Sequence, residues 1–215
     1  CTNCGVRSIE KIDGGWRVKC DALSIDCKNI VIATGGISYP KTGSTGDVTQ
    51  FAEQLELKTT EWKTALGAID ANSRFFYNKM TTECNHFPVK IKILNGETKI
   101  GETLGNLLLY KAELSGSAIF DAVRLGNRAD LKHPTFVIDL FPELPERVLA
   151  QKLAAQYARI KSVKGCLNAI GLDHGYCESL EPLIENAMAG GDTPTAAKML
   201  KSIELNHFSI HPAKE

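Results

Sequence analysis

Residues 29–47 read NIVIATGGISYPKTGSTGD. A β-branched apolar run stops at the double glycine Gly35-Gly36, passes Pro40 and the turn formers Gly43, Ser44, Thr45 and Gly46, and opens a polar–apolar periodic segment at Asp47. That order predicts a strand, a glycine-rich loop and a helix start. The run Ile30, Val31, Ile32 and Ala33 does not alternate, as expected of a parallel strand buried on both faces. Glycines let a ligand approach the backbone with no Cβ in the way, and a helix start adds the positive end of its dipole, so the stretch suits a phosphate-bearing cofactor. The plain alternative is a tight strand exit followed by a helix entry.

Outward from this stretch the chain changes character twice. On its N-terminal side, residues 6–12 and 16–20 alternate about Asp13-Gly14-Gly15, which predicts a hairpin, and residues 22–27 add a short strand. On its C-terminal side, Val48, Phe51, Ala52 and Leu55 follow a helical period, with Ser44 or Thr45 as the cap. A mainly β region follows: Val89, Ile91 and Ile93 alternate with Lys90 and Lys92, Asn95-Gly96 signals a hairpin, and residues 104–110 and 135–140 read as strands around a short helix at 115–124. After Pro142 the apolar spacing turns helical, with helices expected over 148–160, 163–170, 179–188 and 195–203, before a last strand at 205–210. The expected fold class is α+β: a strand-rich, optionally barrel-like part, a small helical bundle, and a remnant of a Rossmann-like domain at the front.

Composition narrows the function classes. The 215 residues include 43% hydrophobic side chains, enough for a sizeable core, and Lys+Arg balances Asp+Glu at 25 each. No overall field draws the chain to nucleic acid or an anionic membrane, and no apolar run approaches the roughly 20 residues that span a bilayer. The sequence opens at Cys1 without a signal-like segment and is read as a piece of a longer protein. Seven scattered cysteines suit reduced thiols and a cytoplasmic location. Cys1 and Cys4 form a Cys-x-x-Cys pair which, with Cys20 and Cys27, offers four sulfurs for a zinc-stabilised module; partly buried thiols on strands are the simpler reading. His207 and His211 have metal spacing only if helical, and Pro212 argues for a strand or tail. His86, His133 and His174 stand alone.

The run from Val31 to Asp47 resembles a segment of the bacterial NAD(P)/FAD-dependent oxidoreductases, flavoproteins of the aminoacetone oxidase and 3-dehydro-bile-acid reductase kind. Ala33, Thr34, Gly35, Gly36, Ser38, Tyr39, Pro40, Thr42, Gly43, Ser44, Thr45, Gly46 and Asp47 stand in register with that family's Ala-Thr-Gly-Gly strand end and Thr-Gly-Ser-Thr-Gly-Asp loop. Downstream the family's Gly-Glu-Leu-Leu-Phe-Thr-His-x-Gly-Leu-Ser-Gly-Pro is represented by residues 105–117, GNLLLYKAELSGS, where Thr, His, one Gly and Pro are replaced; Asp139, Leu140, Phe141 and Pro142 keep its Asp-Leu-x-Pro. The resemblance implies that residues 1–63 belong to a FAD-binding domain and 64–206 to a domain inserted in it (a β part to about 142, then a helical part), with 207–215 beginning the return. It implies cofactor contacts at Val6, Thr34, Gly35, Gly36, Gly43, Ser44, Thr45, Gly46 and Asp47, FAD as cofactor, NAD(P)H as a candidate reductant and a small-molecule substrate. It assigns no catalytic residue and no metal. The family's Gly-x-Gly-x-x-Gly and its closing flavin-binding segment would come from the rest of the parent chain, so an inactive piece that binds FAD weakly or not at all is expected, with a non-catalytic binding domain as the other reading.

Overall fold

The computed structural model describes residues 2, 4–38, 40–71, 84–110, 113–129, 131–206 and 208–212. Internal packing divides the chain into two units, residues 1–62 and 63–214. The fold mixes α and β: six α-helices, a three-stranded sheet and a seven-stranded sheet among the described residues.

In the first unit, strands β1 (Val6–Ile12), β2 (Gly15–Cys20) and β3 (Ser24–Cys27) form an antiparallel meander. Ile12 faces Gly15 across a two-residue loop in which Gly14 takes φ 75°, the left-handed conformation such a turn requires. Helix α1 (Asp47–Gln54) buries Phe51 and Ala52. Its N-cap is neither Ser44 nor Thr45 but Gly46, at φ 84° with no side-chain cap. The Thr45 hydroxyl instead donates to Asp47 Oδ1 at 2.8 Å. The buried parallel strand expected over 30–33 is not formed. No described strand pairs with it and Val31 is 88% exposed. A parallel strand is buried by neighbours on both sides, and the described residues of this unit provide none.

The second unit carries the core. Strands β4 (Gly67–Ala71), β5 (Cys84–Asn95), β6 (Thr98–Tyr110), β7 (Glu113–Ser115), β8 (Thr135–Asp139), β9 (Ile203–Leu205) and β10 (Phe208–Pro212) form one sheet in the order β10-β4-β7-β6-β5-β8-β9. Every described pairing in it is antiparallel. Alternation sorts β5: Val89, Ile91 and Ile93 are fully buried, while Lys90 and Lys92 take the other face. Asn95 pairs with Thr98, so Gly96 (φ 59°) and Glu97 form the hairpin loop. Helix α2 (Ser117–Arg128) packs on β5 and β6. Helices α3 (Glu146–Ile160), α4 (Val163–Ala169), α5 (His174–Ala189) and α6 (Thr193–Lys201) pack on one another and join the same apolar core.

The sheet is not closed into a barrel. Its edges are β10 and β9, which only residues 206 and 207 separate in sequence, so the edges lie no more than roughly 11 Å apart where the chain passes between them. Phe136 on β8 and Phe208 on β10 meet across this seam, ring centroids 4.6 Å apart. The segment pairs first with β8 and then with β4, so the sheet rolls up without a closing ladder. Residues 208–212 are the edge strand paired with β4.

Candidate functional site

The first unit brings the two glycine segments of the 29–47 stretch together. The Gly46 N–H donates to Gly36 O at 3.0 Å, and a Cβ on Gly35 would come within 2.9 Å of Ser44 Oγ. Gly35, Gly43 and Gly46 have φ of 78°, 96° and 84°, a region that disfavours side-chain-bearing residues. Nothing lies within 4 Å of the position a Cβ on Gly43 would take. Gly36 packs beside the Trp62 ring, whose Nε1 donates to Thr49 Oγ1 at 3.0 Å and so ties the loop to α1. Thr34 Oγ1 is shielded from solvent and has no hydrogen-bond partner among the described residues. Val6 opens β1 opposite Cys20. Tyr39 lies outside the described residues.

The helix end does not suit a phosphate. Asp47 occupies the first turn of α1, so a carboxylate already sits at the positive end of the dipole, where it would repel a second anion. The Thr45 hydroxyl and the Asp47 carboxylate are exposed at this turn, while the Thr34 hydroxyl is shielded.

The cysteines are not arranged for a four-sulfur zinc site. Cys27 faces Trp16, four residues along β2 from Cys20, which separates the two by about 13 Å of strand. No group of three or more metal-binding side chains forms among the described residues; Cys1 and His207 lie outside them. Burial and the neighbouring Cys4 push the Cys20 thiol up in pKa. Residues 208–212 are a strand, so His211 does not lie on a helix.

The motif-like residues of the second unit have structural duties. A Cβ on Gly105 would fall 2.3 Å from Ser117 Oγ and 2.8 Å from Ala118 N, which is how α2 approaches β6 so closely. Asn106 Oδ1 then accepts from Ser117 N at 2.8 Å and from its hydroxyl at 2.7 Å. Asp139 of the Asp-Leu-x-Pro run accepts from Lys201 Nζ at 3.0 and 2.9 Å and from Phe141 N at 2.9 Å, pinning the end of α6 to the end of β8. His86 Nε2 donates to Leu140 O at 2.7 Å, its ring against Phe141 and Tyr176. The buried Tyr176 hydroxyl donates to Leu107 O at 2.7 Å, and burial holds it well above the usual phenol pKa.

Sequence reading missed a cavity of about 470 Å³ at the sheet seam of the second unit. Phe208 gives it a partly exposed aromatic wall against the buried Phe136, Val123 and Gly126 of α2 border it, and Lys132 and His133 line it from the segment between α2 and β8. These residues are scattered over some 85 positions, so no local pattern marks them, and His133 looks solitary in the sequence. No model of a known protein family matches the chain.

Proposed function

We propose that the chain is part of a FAD-dependent oxidoreductase, its first unit contributing to the flavin-binding domain and its second forming the inserted domain that bounds the substrate space of the complete enzyme. The observation that carries this reading is the pair of glycine turns held together by the Gly46-to-Gly36 hydrogen bond beside a shielded Thr34 hydroxyl with no partner among the described residues. A buried hydroxyl left without a partner costs about 1–3 kcal/mol, a penalty that a ligand accepting from it would relieve. FAD carries hydroxyls along its ribityl chain and on its ribose. Thr34 Oγ1, Ser44 and Thr45 would hydrogen-bond to these, Asp47 would accept from one, Gly35, Gly36 and Gly43 would let the ligand reach the backbone, and Val6 would add an apolar contact. Bound flavin would supply the hydride and electron transfer, with NAD(P)H as reductant.

Exposed apolar side chains support the same reading. In the first unit Val31, Leu57 and Ile37 are 88%, 58% and 51% exposed, while Ile9, Phe51 and Ala52 are its only buried apolar residues among those described. Further segments of the parent chain would cover them and give residues 30–33 neighbouring strands. A cytoplasmic location belongs to the proposal too, supported by the free thiols of the six described cysteines.

The test is the flavin content of the intact parent protein. Purified parent should carry one FAD per chain, bleached by NADH or NADPH without oxygen, and Gly35→Val should lower that content at least tenfold. A folded parent that binds no flavin would overturn the proposal. Residues 1–215 alone should bind FAD weakly or not at all.

A further inference from the structure

The seam cavity is lined by residues of the second unit alone. Its volume of about 470 Å³ lies in the range of small-molecule sites, roughly 300–1,000 Å³. It exists because the rolled sheet stops short of closure. Between β8 and β10 no ladder fills the space, and the α2 side is bare where Gly126 has no side chain. A Cβ on Gly126 would meet only Pro134 Cγ, at an ordinary 3.8 Å.

The charges are segregated. Lys132 and His133 both lie on the approach to β8, and neither has a hydrogen bond or ion pair among the described residues. Asp70 lies on β4, paired with Ser209 of β10, and so belongs to the other side of the seam. Phe208, Ile210 and Leu131, each partly exposed, provide the accessible apolar lining, and Phe136 and Val123 are buried within the wall. A ligand with one negative group and an apolar body satisfies these walls, its anion beside Lys132 and His133 and its body against Phe208 and the apolar residues next to it. A small cation is repelled by Lys132, and a purely polar anion leaves the aromatic wall unused.

We propose that this cavity is a binding site for a small aromatic or branched aliphatic monocarboxylate. The carboxylate takes charge-assisted hydrogen bonds from Lys132 and, when protonated, His133. The body replaces water against Phe208, Ile210 and Leu131.

The test is a titration of the ¹⁵N-labelled 215-residue chain, followed by amide NMR at residues 123–136 and 206–210. The probes are phenylacetate, its neutral counterpart 2-phenylethanol, its cationic counterpart phenethylamine, and acetate. Phenylacetate should shift these amides saturably and bind at least tenfold more tightly than each of the others. Lys132→Ala combined with His133→Ala should erase the advantage of phenylacetate over 2-phenylethanol. Gly126→Leu, whose side chain would occupy the cavity, should abolish the shifts while the remaining amide spectrum stays folded. Absence of saturable shifts with phenylacetate, equal binding of acid and alcohol, or preference for the amine would each overturn the proposal. Unfolding of either variant would leave the probe comparison on the unaltered chain as the deciding measurement.

Discussion

At the scale of single residues, glycines that look alike in sequence do opposite things. Gly105 has no room for a methyl group, because a Cβ would meet backbone as well as a hydroxyl; Gly116 combines φ 96° with a Cβ position 2.5 Å from Asn106 O. Gly126 sits inside α2 with only an ordinary contact at its would-be Cβ. Gly105→Ala and Gly116→Ala should each cost about 1–3 kcal/mol through overpacking and strain. Gly126→Ala should stabilise by about 0.5–1 kcal/mol, since alanine loses less chain entropy in a helix. Urea denaturation of the three variants checks this; a destabilised Gly126→Ala or a neutral Gly105→Ala would contradict it. The sequence announces glycine at all three positions, but the neighbour that gives each its meaning comes from another element, so the sign of the effect is not legible in the sequence.

At the scale of elements, periodicity carried most assignments and failed where partners decide. The 95–98 turn and the alternation of β5 were readable because a two-residue loop and a half-buried strand leave local signatures. Helix α5 begins at His174, five residues before the expected start, and holds Pro182 in its interior. Burial of Tyr176, Cys177 and Leu180 in the core outweighs the cost of the proline, a tertiary override of local preference. Asp139 looked like part of a family signature, and what it does is join two elements. Its side chain and that of Lys201 are only 19% and 16% exposed. Asp139→Ala should therefore destabilise the fold by about 2–3 kcal/mol, because it leaves the Lys201 ammonium with Phe141 O but no counter-charge and frees Phe141 N. Guanidinium denaturation reads this directly, and a loss under about 0.5 kcal/mol would show that the tie contributes little.

At the scale of the whole molecule, the two units differ in how much core they own. Every residue of the main apolar cluster belongs to the second unit. Burial of a large apolar side chain contributes about 1.5–3 kcal/mol, so Ile9 and Phe51 fall far short of offsetting about 1–2 kcal/mol of backbone entropy for each residue of the first unit. Residues 63–212 expressed alone should unfold cooperatively with dispersed amide resonances, whereas residues 1–62 alone should show neither. Cooperative melting of the isolated first unit would disprove this account of its stability.

Local sequence patterns specify the order of the elements, the hairpin turns, the mixed α and β class and the glycine-rich stretch at 29–47, because these follow from periods and turn chemistry acting over a few residues. Long-range packing settles which strands find partners, that the segment from β9 to β10 changes partner from β8 to β4 and leaves the sheet open, and that side chains from α2, β8 and β10 border one cavity. Those outcomes depend on contacts between residues far apart in the chain. The 29–47 stretch shows both sides: its glycines are legible as turns, but whether Ile30 to Ala33 become a strand depends on neighbours beside them.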